Sequence, residues 1–336
     1  MVFEQRGVAG GATHASAGAL VPYVEAHEPG PLQDLTVRSL NLYDQFIAEL
    51  RDESRSSLDY ARCGSLEVAF TKSEEDLLRG TARRFGAADV RWLTAREMLG
   101  IEPALAPTIR GGLLVASHGY VSAPQLTHAL AHAATAKGAI VRAAHVIRVD
   151  SMERAAVIVT EAGAVERFDR VIIASGAWGG LLEIEGHAPI GVRPVKGQLL
   201  RLRGPHLSHL LWSRTCYVVP QQNGDVLVGA TMEDVGFDER PTADGMAQLL
   251  TAAIALLPSI AGAEFLEVRV GLRPATDDNL PLVGYARGSE SIVLALGHFR
   301  NGVVLSPLTA RILTDLILDR IDDPALQTLA PARFGL

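Results

Sequence analysis

Four apolar residues in unbroken succession, Val171-Ile172-Ile173-Ala174, run directly into Ser175-Gly176-Ala177-Trp178-Gly179-Gly180. A strand without polar alternation is one covered on both faces, as parallel strands are in α/β folds. The run predicts a buried parallel strand. Its small-residue turn falls at the carboxyl edge, where open α/β sheets bind ligands. Read alone, the same stretch is also a strand-to-helix turn with Trp178 as core filler.

The rest of the chain mixes helix and strand signals in blocks. Val2-Phe3-Glu4 reads as the end of a strand, and a small-residue loop follows from Gly10 to Gly18. Leu35, Leu40, Tyr43, Phe46, Ile47 and Leu50 share one side of a helix predicted over 35–50. Gln125 to Lys137 reads as an Ala-rich helix closed by Gly138. Strands are expected at 65–70, 112–116, 140–149, 156–160, 165–170 and 292–296. Gln198–Leu202, Cys216–Val219 and Val226–Gly229 suggest an antiparallel sheet. Helices are expected over 246–257, stopped by Pro258, and over 302–318. The pattern predicts an α/β chain, α+β overall. A doubly wound nucleotide-binding domain is interleaved with an antiparallel-sheet domain.

Composition narrows the function. The 336 residues are 48% hydrophobic with net charge −7, and Lys and Arg are scattered. A substantial core follows, and a nucleic-acid partner does not. Cys63 and Cys216 lie far apart and form neither a metal spacing nor a disulfide framework. The apolar run Ile312–Leu318 is broken by Thr314 and Asp315, short of the ~18 apolar residues of a membrane span. Met1-Val2-Phe3-Glu4 shows no leader pattern, so a cytoplasmic protein is expected.

Four further segments could carry chemistry. Glu4, at a strand end, suits the acidic residue that binds an adenosine ribose, though it also reads as an ordinary exposed glutamate. The Gly10–Gly18 loop lets backbone N–H groups approach phosphate, or is a flexible surface loop. Arg273, within Gly271-Leu272-Arg273-Pro274, wants a carboxylate or phosphate, or else an internal partner such as Asp277. Finally, Gly297-His298-Phe299-Arg300-Asn301-Gly302 joins a strand to a helix, aiming a positive helix end at whatever fills the turn. It could otherwise be a charged surface turn.

Together and in this order, these segments resemble the FAD-dependent D-amino-acid oxidase superfamily over nearly the whole chain. The last turn and the Gly-Leu-Arg-Pro segment look most like glycine oxidase of thiamine thiazole biosynthesis. Cys216-Tyr217-Val218-Val219-Pro220 and Val228-Gly229-Ala230-Thr231-Met232 also fit that pattern, whereas Thr215 stands where one family pattern has histidine. The resemblance implies FAD as cofactor, contacted by Glu4, Thr13, Ala17, Gly18, Val146, Gly176, His298, Phe299, Arg300, Asn301, Gly302, Val303 and Val304. It implies that Arg273 pairs with a substrate carboxylate, assisted by Tyr217, with Arg300 a second arginine at the site and Met232 a pocket wall. It divides the chain into an FAD-binding domain (1–62, 121–190 and 268–336) and a substrate domain (63–120 and 191–267).

The implied reaction is oxidation of glycine or another small amine or D-amino acid. Hydride passes to the flavin, molecular oxygen is the acceptor, and hydrogen peroxide is released. The resemblance also implies an opening strand, G-x-G-x-x-G turn and helix ahead of Glu4, a unit of roughly 30 residues. The sequence does not contain it. The expectation is a start codon further upstream or an N-terminally truncated FAD-binding domain. Alternatives are a D-amino-acid dehydrogenase, a sarcosine-oxidase-like enzyme, or an FAD-free remnant without activity. Oligomeric state is left open, a homo-oligomer included.

Overall fold

In the computed structural model, residues 1–25, 29–85, 89–320 and 323–336 are described. Val171–Ile173 pairs in parallel with Ile292–Leu296, which pairs antiparallel with Leu282–Tyr285. The buried-strand expectation holds for one face only. Ile173 is buried, but Ile172 is 48% exposed, because this is an edge strand of its three-stranded sheet and the helical cluster on that face packs on Val283, Val293 and Ala295 without including Ile172. A second parallel pair joins Val2–Glu4 to Val141–Ala143.

The single strand expected over 140–149 is two. Val141–Ala143 belongs to that parallel pair, while Val146–Met152 joins a four-stranded sheet against Ala155–Thr160. One strand-like run serves two sheets, so the chain must turn between them.

The larger sheet has eight strands. Their spatial order is Glu264–Ala275, Arg193–Arg203, Asp225–Gly229, Tyr217–Pro220, Leu210–Trp212, Ser65–Ala69, Gly111–Val115 and Val90–Thr94. Neighbours are antiparallel except Leu210–Trp212 and Ser65–Ala69, which run parallel. The strands expected to pair antiparallel, at 198–202, 216–219 and 226–229, do so, and the one parallel pairing joins two others. Sequence reading passed over the twelve-residue strand Glu264–Ala275, although Leu266 to Val270 alternates apolar and charged residues, and the helix Lys72–Phe85, which opens on a polar stretch from Lys72 to Asp76.

The helix expected over 35–50 is also two, Pro31–Leu40 and Tyr43–Ser54, divided at Asn41-Leu42. Both present the same apolar side. Leu35, Leu40, Tyr43, Ile47 and Leu50 pack with Val304, Leu305, Leu308 and Ile312 of the long helix Gly302–Ile317. Each fully buried Leu or Ile stabilises this contact by about 1.5–3 kcal/mol. The long helix contains Pro307, which has no N–H for the Val303 carbonyl one turn back. Tyr43 Oη and Ser306 Oγ donate to that carbonyl instead, at 2.5 and 2.9 Å. The packing therefore fixes the start of the helix as well as its flank.

Candidate active site

A cavity of about 700 Å³ lies where the Gly10–Gly18 loop, the ends of the strands Val171–Ile173 and Ile292–Leu296, and the eight-stranded sheet meet. Its two walls are built differently.

One wall is backbone and small side chains. The loop forms a single 3-10 turn, Ala12–Ala15, against the strand Glu264–Ala275. A Cβ at Gly271 would sit 2.9 Å from Ala15 Cβ. Gly18 has φ +70°, and a Cβ there would lie 1.7 Å from the Val121 carbonyl oxygen, so only glycine fits. At Gly176, φ +58°, a Cβ would meet nothing within 4 Å.

The turn after Leu296 completes this wall. Gly297 and Phe299 both have positive φ, and Phe299 N–H donates to the Pro274 carbonyl at 2.9 Å. That bond ties the turn to the residue after Arg273. Burial holds the His298 imidazole down at about pKa 4, so the ring is neutral at pH 7, and its Nε2 lies 3.0 Å from Thr309 Oγ1. Gly302, Val303 and Val304 precede the first intrahelical bond, from Leu305 N–H to the Asn301 carbonyl. Their N–H groups form the positive end of the helix, and all three residues line the cavity.

The other wall is side chains standing over glycines. Arg273 lies on the strand Glu264–Ala275, its Nη1 donating to the carbonyls of Lys196 (3.3 Å) and Thr231 (3.1 Å). A Cβ at Gly197 would fall 2.3 Å from the guanidinium nitrogens. Tyr217 stacks on Trp212 at 4.7 Å, and a Cβ at Gly229 would fall 2.3 Å from its hydroxyl. Met232 is exposed at the rim, and Arg300 stands on the turn opposite.

Behind Arg273 a polar cluster is closed over. Lys196, 1% exposed, pairs with Glu233 at 3.2 Å. Burial alone would raise the Glu233 carboxyl, but hydrogen bonds from Thr231, Gln198 and Lys196 bring it below the usual range. This cluster fixes the two backbone carbonyls that hold the guanidinium.

Thr13, Ala17, Gly18, Gly176, Tyr217, Met232, Arg273 and the whole segment 298–304 thus line one cavity. Glu4 and Val146 do not. Glu4 ends a strand of the second parallel pair, where Ala144 N–H meets its carbonyl at 3.3 Å and its Oε1 accepts from Arg6 N–H at 2.7 Å, and Val146 opens the next strand two residues after Ala144. Sequence reading missed Gly197 and Gly229, although a glycine inside a strand is itself a sign that another group approaches closely. It also missed Trp212 and the Lys196–Glu233 pair, which nothing local announces.

The DAO family, described as FAD-dependent oxidoreductase, matches residues 1–316. Glycine oxidase of Geobacillus kaustophilus is 35% identical over 94% of this chain and 85% of its own length. The bifunctional protein ThiO/ThiG of Synechocystis is 31% identical over 98% of this chain, which spans about half (49%) of that protein. The crystal structure of the Geobacillus glycine oxidase superposes with a TM-score of 0.92, covering 98% of this chain and 91% of that one at 34% identity. Iminodiacetate oxidase from Chelativorans superposes at 0.88 over 98% of this chain and 91% of that one, at 26% identity.

Proposed function

The chain belongs to the DAO family of FAD-dependent oxidoreductases and is a flavoenzyme acting on amines, and from that premise we propose that it oxidises glycine or another small amine or D-amino acid. The product is the imino acid, which hydrolyses to the oxo acid and ammonia. Molecular oxygen takes the electron pair and leaves as hydrogen peroxide. The observation that carries the reading is the pair Arg273 and Tyr217 on one wall, facing the positive helix end on the other.

The residues present fit FAD. The wall from Gly10 to Gly18 and from Gly297 to Val304 offers backbone at close approach, with open space over Gly176. Thr13, Ala17, Gly18, Gly176 and residues 298–304 would hold the cofactor. Glu4 and Val146 would serve its adenosine end. When bound, FAD supplies the two-electron acceptor.

The chain's own groups do the rest by positioning. The Arg273 guanidinium takes the substrate carboxylate through charge-assisted hydrogen bonds, and the Tyr217 hydroxyl supports the same group. Arg300 adds a second cation at the rim of the substrate site. The helix N-terminus stabilises negative charge that develops across the cavity. No side-chain base at the α-carbon is needed, because bond-breaking there is set by orientation.

The similarity to proteins named ThiO/ThiG supports a role in thiamine biosynthesis. Among the described residues no helix is long and apolar enough to cross a membrane, and both cysteines are free thiols. These observations support a place in the cytoplasm. The test is peroxide release across glycine, sarcosine, D-alanine, iminodiacetate, D-phenylalanine and L-amino acids. Glycine, sarcosine and D-alanine are expected to lead. Preference for D-phenylalanine or an L-amino acid would overturn the substrate assignment and leave the family untouched.

A further inference from the structure

The peptide unit between Val303 and Val304 is held from behind. Its carbonyl is orphaned within the helix by Pro307 and accepts from Tyr43 Oη at 2.5 Å and Ser306 Oγ at 2.9 Å. Its N–H belongs to the first turn, ahead of the first intrahelical bond, at the cavity wall. Hydrogen bonds in a chain polarise one another, so donation to the oxygen makes the N–H of the same unit a stronger donor. Tyr43 is itself fully buried and does not line the cavity.

We propose that Tyr43 is a positioning residue that tunes the flavin through this peptide. Its hydroxyl, acting with Ser306 Oγ, strengthens the helix N-terminal donors that face the negative charge of the reduced cofactor. The proposal rests on the reading that the start of Gly302–Ile317 faces the flavin. Geometry keeps the phenol a donor: Tyr43 stacks on Tyr60 and meets Phe46 edge-on, in a site that excludes water. Burial also raises its pKa well above the ordinary tyrosine value. A second contact on the same helix separates tuning from support. Ser39 Oγ accepts from Leu308 N–H at 3.3 Å, beyond the peptide that faces the cavity.

The test uses the FAD-bound protein and measures the flavin midpoint potential and the dissociation constant of the flavin–sulfite adduct. Tyr43→Phe keeps the ring packing and removes the donor, and Tyr43→Phe/Ser306→Ala removes both donors. The double variant is expected to disfavour reduction by roughly 3- to 10-fold, about 15–30 mV for a two-electron couple, with sulfite bound correspondingly more weakly. Tyr43→Phe gives a smaller shift of the same sign. Ser39→Ala is expected to lower Tm and leave both flavin readouts unchanged. Wild-type potential and sulfite affinity in the double variant would overturn the proposal, as would an equal shift in Ser39→Ala. Loss of FAD from a folded Tyr43→Phe protein would overturn it too, making the contact a condition of binding. No readout involves an amine, so failure of the substrate assignment leaves these results interpretable.

Discussion

The two walls of the cavity offer opposite means of recognition. The loop 10–18 and the turn 297–304 present backbone, with small residues and positive-φ positions that keep side chains out of the way. The sheet wall presents Arg273 and Tyr217, each standing where a glycine on the neighbouring strand leaves room. A backbone wall suits a ligand common to a whole family, because main-chain donors do not depend on residue type. A side-chain wall can change its substrate by single substitutions while the cofactor site stays intact. Damage to the first should therefore cost the cofactor and the fold, and damage to the second only the substrate.

The largest expected effect is on the backbone wall. Gly18→Ala drives a Cβ to 1.7 Å from a carbonyl oxygen at a positive φ. Destabilisation of about 3–5 kcal/mol is expected, seen as loss of bound FAD and a sharp drop in Tm. Retained yellow colour and an unchanged melting curve would show that this wall is more pliable than its packing implies.

Next comes the side-chain wall. Arg273→Ala should cost about 2–4 kcal/mol of substrate binding, a fall of roughly 30- to 1,000-fold in kcat/KM, carried mainly by KM. Flavin absorbance should stay at wild-type stoichiometry. Gly197→Ala reaches the same residue from the neighbouring strand and should move KM in the same direction. If either variant loses FAD first, the division of labour between the walls is wrong.

The smallest effect sharpens the comparison through pH. Burial lowers His298 from its ordinary value to about 4. As pH falls from about 6.5 towards 4, the unfolded chain binds a proton that the folded chain refuses. Stability conferred by the neutral ring is present above the unfolded pKa and lost on acidification, with a slope of up to about 1.4 kcal/mol per pH unit. His118, fully buried, is lowered to about 3 by burial and by nearby Arg62, and it contributes in the same sense outside the cavity. His298→Gln should flatten the decline of Tm over that window while FAD affinity stays constant between pH 6.5 and 8. An FAD affinity that titrates near 6.5 in the wild-type protein would show that His298 is charged when the cofactor leaves.

The difference between the walls also explains what could be read from sequence. Each half of the backbone wall is local. Gly297 to Val304 is one continuous segment, and its strand–turn–helix sequence already aims the helix at the turn. The side-chain wall is assembled across long separations. Arg273 meets the Lys196 carbonyl 77 residues away and the Thr231 carbonyl 42 away. Its chemistry could be suspected from sequence, but its neighbours and the glycine that admits it could not. The misread elements fail for related reasons. The 35–50 stripe keeps one apolar side across the break at Asn41-Leu42, so periodicity alone hides the boundary. Residues 140–149 read as one strand-like run, interrupted only by Arg142, His145 and Arg148, yet are shared between two sheets.

Pro307 has a consequence for how the molecule is assembled. The Val303 carbonyl receives its tyrosine donor from a residue 260 positions away, and Ser39 reaches Leu308 from 269 away. Local coil-to-helix growth can supply that carbonyl with Ser306 Oγ, three residues on, but not with the Tyr43 hydroxyl. The tyrosine donor arrives only with the docking of Pro31–Leu40 and Tyr43–Ser54, a contact of high sequence separation. The helix N-terminus is therefore expected to reach its full donor strength only once that long-range docking has been made.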